Sequence, residues 1–461
     1  MITLVLTTQL MEELSQAAQG ELEVAGVLLV RVLEASDGSR RLLGRAVRWV
    51  PEHEYIKQET YGLVIPSTGY VAALAHAEKD GDTAIWFHTH PGWNGTPIPS
   101  RHDHEVDRQI ADLFRIRTGS SFYGTLIVSP RPEGCVFTGT LQHETDPAEP
   151  IERLWVVGDR WKLVSSLDSD TETMPAIFDR NIRAFGPAMQ QALSDLRVAI
   201  VGCGGTGSSV AEQLVRLGVR KFTLIDGDTV SESNVTRLYG STLDDVGKPK
   251  VEVVGSHLRR IAPDAHCTTI DSMITLLPAA FSLTSADLIF GCTDDNAGRL
   301  VLSRLSSYLL TPVLDVGVLL SSVEDGTLSD INGRITVLSP GSACLVCRDR
   351  IDLQRASAEL MDPEERHRLQ DEGYAPALGA IEPAVVAFTT AVAAAAVAEM
   401  IERLVGYGPV PRPSEVLLRF HEREVSTNSR PSRDRHYCHM DSNKWGWGAG
   451  SPFLEQTWPD V

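Results

Sequence analysis

His88 and His90 stand two residues apart at the end of the apolar run IWFH, and Pro91 follows directly. In an extended chain, residues i and i+2 share a face, so both imidazoles are presented to the same side. Asp103 comes next, on the helical-looking stretch SRHDHEVD. Two imidazoles and one carboxylate make a three-ligand zinc set. Its fourth position stays open to water, as in catalytic rather than structural sites. Zinc held in this way brings the pKa of its water down to about 7 and so supplies a nucleophile at neutral pH. Hydrolysis also needs a general base, and Glu23 in EVAG is the candidate; Glu21 is the alternative, without a glycine three residues on. Ser100, three residues before Asp103, could donate a hydrogen bond to an oxyanion. His102 and His104 read as surface residues.

A second group has the chemistry of phosphate. GCGGTG places Gly202, Gly204, Gly205 and Gly207 between an apolar run and an amphipathic one. Glycines allow a tight turn and close backbone approach, and the following helix N-terminus offers free N–H groups. Asp226 lies 19 residues after Gly207, where an acid typically binds ribose hydroxyls. These features alone fit NAD or FAD as well as ATP. Arg237 and Lys250 follow in DGDTVSESNVTRL and VGKPKVE, and Asp294 lies in GCTDDNAGR. The two cations can neutralise a triphosphate, and Asp294 can hold magnesium. Together they would orient an α-phosphate for in-line attack by a carboxylate, with pyrophosphate leaving.

Seven cysteines, an odd number, do not suggest a disulfide framework. Cys344 and Cys347 alone have metal-ligand spacing, and the only later cysteine is Cys438 in RHYCHMD. His436, His439 or Asp441 could be a fourth ligand, and His436 is preferred. No cysteine lies between Cys347 and Cys438, so a covalent thioester step on this chain is not expected. Cys203 and Cys292 read as packing residues.

The elements that must position these groups fall into two patterns. Residues 1–165 alternate short strands with helices near 8–18 and 66–78, a mixed α+β domain. A polar linker over 166–175 leads to residues 176–430. There LRVAIVG, the glycine loop, SSVAEQLVRLG and KFTLID read as strand, loop, helix and strand. LIFGCTD and PVLDVGV read as further parallel strands, which makes this half α/β with a mostly parallel sheet. Residues 383–400 read as a buried helix with Pro383 in its first turn. Residues 431–461 read as an extended tail that packs by its tryptophans and completes the cysteine site.

The net charge of −19 gives no electrostatic footprint for nucleic acid or an anionic membrane. The first residues contain no basic region before an apolar run, so no signal peptide is read and a cytoplasmic location is expected.

Glu-x-x-Gly, His-x-His-Pro and Ser-x-x-Asp together resemble the JAB/MPN (JAMM) zinc metalloprotease family over roughly residues 1–165. The resemblance implies cleavage after the C-terminal glycine of a ubiquitin-like protein, with His88, His90 and Asp103 as ligands, Glu23 as base and Ser100 as oxyanion donor. Eight residues separate Pro91 from Ser100, where that family more often has six, so the loop GWNGTPIP is expected to reshape the cleft. Residues 176–425 resemble the ThiF/MoeB-like family, which includes the adenylation domains of ubiquitin-activating enzymes. That resemblance implies a Rossmann-like adenylation domain with Asp226, Asn234, Arg237, Lys250 and Asp294 around MgATP. It also implies a structural zinc ion at the cysteines. FDRNIRAFG resembles the segment that supplies an arginine to a partner subunit's ATP, which assigns Arg180 and implies a homodimer. The joint expectation is a bifunctional enzyme that trims or deconjugates a ubiquitin-like tail and adenylates it. The alternatives are processing and activation of a sulfur-carrier protein, or one half serving only to bind. A conjugating-enzyme-like protein is a further expected partner.

Overall fold

The computed structural model describes residues 1–93, 95–131, 134–165, 175–322, 328–361, 366, 368, 370 and 384–459. The chain divides into two units, Met1–Glu172 with Gly446–Gly448, and Thr173–Trp445 with Ala449–Val461. The expected linker and Pro383 lie outside the described residues, apart from Pro175.

In the first unit, β1 (Ile2–Thr7) runs straight into α1 (Thr8–Ala18), because Thr7 accepts a hydrogen bond from Leu10 N and caps the helix. Strands β2 (Ala25–Glu34) and β3 (Arg40–Trp49) pair antiparallel. The small hairpin β4 (Lys57–Glu59) and β5 (Gly62–Val64) precedes α2 (Thr68–Asp80) and β6 (Thr83–Thr89). Then come α3 (Arg101–Thr118), β7 (Phe122–Arg131), β8 (Gly134–His143), β9 (Glu149–Pro150), β10 (Arg153–Val157) and β11 (Lys162–Ser165). The main sheet has the order β11-β10-β1-β3-β2-β6-β7-β8-β9.

Alternation along the central strands decides the layers. Leu28, Val30, Ile85 and Phe87 enter one face, where Leu10, Met11 and Leu14 of α1 cover them. Val27, Leu29, Ala84 and Trp86 enter the other, packed with Leu74 of α2 and Phe114 of α3. His88 continues the parity of Ala84 and Trp86, so the strand delivers it to the α2/α3 side.

In the second unit, α4 (Asp179–Phe185) and α5 (Pro187–Asp195) lead to β12 (Arg197–Val201), α6 (Gly205–Leu217) and β13 (Lys221–Ile225). Next are α7 (Lys250–Ile261), β14 (His266–Ile270), α8 (Leu277–Ser282), β15 (Leu288–Gly291), α9 (Asn296–Tyr308), β16 (Val313–Ser322) and β17 (Leu328–Leu338). The chain continues with α10 (Leu353–Glu359), α11 (Val386–Val405), β18 (Glu415–Arg419) and β19 (Glu424–Asn428). The sheet order is β14-β13-β12-β15-β16-β17-β18-β19. Strands β12 to β16 pair in parallel with helical crossovers, as expected. The remaining three pairings are antiparallel, so the sheet is more mixed than the sequence suggested. From β12 the chain moves outward to β13 and β14, then returns to place β15 on the other side. The crevice beyond the ends of β12 and β15 is therefore the topological switch point where open α/β sheets bind ligands. No helix of the described residues is long and apolar enough to cross a membrane.

Candidate functional site

In the first unit the ligand-type residues are brought together. His88 Nε2 lies 3.1 Å from His90 Nε2 and 3.3 Å from Asp103 Oδ1, and His90 Nε2 lies 3.9 Å from Asp103 Oδ2. The arrangement is built from three directions. His90 is pinned by its N–H, which donates to Val128 O of β7 (2.8 Å). Asp103 is held by a capping box at the start of α3: Ser100 N donates to its Oδ2 (2.6 Å), and its own N–H donates to Ser100 Oγ (3.2 Å). Ser100 Oγ accepts in that bond, which leaves its O–H available to donate. Glu23 comes in just before β2, whose Ala25 pairs with His88. Three bonds hold it there: Glu23 N to Glu59 O (2.9 Å), Gln58 Nε2 to Glu23 O (3.0 Å), and Val24 N to Thr89 Oγ1 (3.0 Å).

All five residues line one cavity of about 470 Å³. Burial pushes the Glu23 carboxyl up to about 7, with nearby His88 opposing. Burial acts on Asp103 in the same sense, but hydrogen bonds from His88 and Ser100 outweigh it and hold that carboxyl well below its ordinary value. Burial also lowers the imidazole pKa of His90, which favours the neutral form that ligates metal. Glu21 is exposed and is not among the lining residues, so of the two acids it is Glu23 that faces the cluster. His102 and His104 are exposed, though His102 also lines the cavity. The donor set, two imidazole nitrogens and a carboxylate oxygen within 4.8 Å of one another with a cavity beside them, fits an open zinc site.

In the second unit the glycine loop follows β12 at the switch point. Gly202 has φ +90°, and a Cβ there would meet Cys292 O at 2.6 Å. At Gly207, inside α6, a Cβ would stand 1.8 Å from Gly202 O. Both positions therefore require glycine. Asp226 braces the loop by accepting from Cys203 N (2.6 Å) and Asp228 N (2.9 Å). Lys250 Nζ donates to Asp228 Oδ2 (2.6 Å) and lies 3.9 Å from Asp226. Gly202, Gly204, Gly205, Asp226, Arg237, Lys250 and Asp294 line a single cavity of about 920 Å³. The adjacent acids divide the work there: Asp295 caps α9 by accepting from Gly298 N, while Asp294 is exposed on the cavity wall. Asn234 is placed differently from expectation. Its Oδ1 accepts from Ser231 N (3.1 Å) and shapes the turn that carries Arg237, and it is not among the lining residues. Arg180 is exposed on α4 and does not line the cavity of its own chain. Burial pushes the thiols of Cys203 and Cys292 well above their ordinary value, the opposite of a reactive thiolate.

Cys344, Cys347, Cys438 and His436 offer ligand atoms within 4.8 Å of one another, with His436 Nδ1 at 3.2 Å from Cys438 Sγ and 3.5 Å from Cys344 Sγ. His439 instead lies beside Asp434 and Asp441. All three thiols are buried and the set is closed, which fits a structural zinc ion. Arg433 N donates to Cys347 Sγ (3.4 Å), a bond suited to a thiolate ligand.

Sequence reasoning missed a buried charge cluster whose arginines line the cavity at the glycine loop. Asp315 on β16, 1% exposed, accepts from Arg299 Nε (2.9 Å) and Nη2 (2.8 Å) and from Arg334 Nη2 (3.2 Å), and both arginines line the cavity. The signal was present in PVLDVGV: a charge inside a buried apolar strand must be paired.

The second unit is thus an α/β unit in which a glycine loop, an acid after the next strand and flanking cations surround one cavity at its switch point. The ThiF family matches residues 178–440, more than half of the chain, and the chain belongs to that family. Among its relatives are the molybdopterin-synthase adenylyltransferase of Escherichia coli, 33% identical over 37% of this chain and 65% of that protein. Ubiquitin-like modifier-activating enzyme 5 of rice is 32% identical over 34% of this chain and 38% of that protein. The sulfur carrier protein ThiS adenylyltransferase of E. coli is 32% identical over 33% of this chain and 56% of that protein. The chain spans between about a third and two thirds of the length of these relatives.

Proposed function

We propose that this chain adenylates the C-terminal carboxylate of a small ubiquitin-like or sulfur-carrier protein and hydrolyses a peptide or isopeptide bond at the same kind of tail. The observation that carries the first activity is the single cavity in which the glycine loop, Asp226, Arg237, Lys250 and Asp294 meet. The backbone N–H groups at the start of α6 receive phosphate oxygens, Asp226 takes the ribose, and Arg237 and Lys250 offset the charge that grows as pyrophosphate leaves. Asp294 would hold Mg²⁺, which would supply positive charge to offset that of the phosphates. The tail carboxylate bonds to the α-phosphorus as the bond to pyrophosphate breaks. The relatives named for molybdopterin synthase and for a sulfur carrier favour a sulfur-carrier tail over a conjugated modifier. So does the lack of any cysteine between Cys347 and Cys438, which leaves the acyl adenylate to pass directly to an external acceptor.

In the first unit His88, His90 and Asp103 would hold zinc, which when bound polarises a carbonyl and acidifies water. Glu23 takes the proton from the attacking water and delivers it to the leaving amine, a task suited to a carboxyl with a pKa of about 7. Ser100 O–H donates to the oxyanion. Arg180 is assigned to the partner subunit's nucleotide site in a homodimer.

The test separates the halves. Glu23→Ala is expected to abolish tail cleavage and leave ATP–pyrophosphate exchange intact, and Asp294→Ala to do the reverse. If neither substitution changes either activity, the proposal fails.

A further inference from the structure

We propose that the cavity beside His88, His90 and Asp103 is a subsite for a bulky apolar side chain flanking the scissile bond, an inference that rests on the hydrolytic reading of that site. The 470 Å³ cavity is larger than the three ligand-type residues require, and Tyr70, Trp86 and Ile110, part of the apolar core with α2 and α3, line it too. The rim carries Tyr61, Val64, Trp93 and Ile98, which are 79%, 43%, 40% and 65% exposed. Single exposed apolar residues need no explanation, but four gathered on the mouth of one cavity mark a contact surface.

Described residues of two segments carry the rim. The β4–β5 hairpin that presents Tyr61 and Val64 is tied to the Glu23 segment by the Gln58 and Glu59 bonds. On the facing loop, Trp93 Nε1 donates to Thr96 O (3.0 Å). Gly92 lets that loop approach the hairpin, since a Cβ there would meet Tyr61 Oη at 2.6 Å.

The lining also states what does not belong there. Among the described lining residues there is no lysine or arginine, so an acidic side chain set against the apolar wall would find no basic partner there. A glycine would leave the apolar wall in contact with water. A leucine, methionine or phenylalanine side chain satisfies the wall and spares the rim from solvent. Hydrophobic pockets discriminate by roughly 10–200-fold per missing methylene or similar group, so the preference is expected to be large.

The test uses the full chain loaded with zinc and capped peptides spanning a Gly–X bond, with X as glycine, aspartate, lysine, leucine or phenylalanine. A parallel series varies the residue before the glycine. Binding to Glu23→Gln by calorimetry is expected to favour leucine or phenylalanine over glycine by at least about tenfold in one series. Cleavage by the wild type is expected to follow the same order. Trp93→Ala and Ile98→Ala, at exposed rim positions where folding is not at risk, are expected to erase most of that preference. Equal binding of the glycine, aspartate and leucine peptides, or a preference for lysine, overturns the subsite. If the apolar peptides bind selectively and none is cleaved, the subsite stands and the hydrolytic reading falls.

Discussion

Replacing Asp315 with alanine tests how the wall of the nucleotide cavity is held. Its carboxylate is buried and shared by two guanidinium groups, with Arg299 bidentate and Arg334 at 3.2 Å. An exposed ion pair would be worth about 0–1 kcal/mol. Here the substitution leaves two largely buried like charges side by side, for which about 3–5 kcal/mol is expected. At roughly 2–4 °C per kcal/mol for a unit of this size, the melting transition of the second unit falls by about 6–20 °C. Scanning calorimetry of the full chain reads this, with the first unit's transition as the internal reference. Burial pushes the Asp315 carboxyl up, but Arg299 and Arg334 outweigh it and hold it below its ordinary value. A depressed carboxyl pKa contributes stability above the unfolded value near 4 and loses it only as the pH falls through the folded value. The difference between wild type and Asp315→Ala is therefore constant from pH 5 to 8 and shrinks in acid. Adding Arg334→Met to the alanine variant removes one unpaired charge and is expected to recover part of the loss. A shift under about 2 °C, or no recovery in the double variant, would refute the view that the triad is a desolvated unit.

Three other outcomes are expected. The folded state binds the Glu23 proton more tightly than the unfolded chain, since burial pushes its carboxyl up to about 7 from an ordinary value of 4.5. Metal-free protein is thus expected to lose melting temperature as the pH rises from about 4.5 to 7, with a shallower slope in Glu23→Gln. Gly207→Ala, whose Cβ would press on Gly202 O, is expected to weaken ATP binding more than about tenfold while the first unit's transition is unchanged in calorimetry. Cys438→Ser is expected to reduce bound zinc by one equivalent in metal analysis and to lower the second unit's transition alone.

Much of the local structure was legible in the sequence. The helix over 8–18 and the strand at 85–88 show their periods in their own residues, and the structure places α1 at Thr8–Ala18 and β6 at Thr83–Thr89. The glycine loop was legible because two of its positions, Gly202 and Gly207, admit no side chain. The strand expected at 288–294 ends at Gly291; Cys292 N still donates to Val201 O at the end of β12, and Cys292, Thr293 and Asp294 then line the cavity. The β4–β5 hairpin went unread, since two strands of three residues carry too little periodicity to register.

Residue type and spacing by themselves determined which groups could ligate, bind phosphate or move a proton. His-x-His, Ser-x-x-Asp and Cys-x-x-Cys are short enough for backbone geometry to set their relation. The tertiary structure shows how distant groups join them: His436, which the sequence already preferred, lies at the cysteines, Glu23, likewise preferred over Glu21, lines the cavity with the histidines, and Arg299 with Arg334 meets Asp315, a pairing that no sequence pattern showed. It also decided that an apolar wall stands beside the histidines. Such choices depend on strand pairing and helix packing between residues far apart in the chain, and no local pattern records which side chains those contacts will bury together.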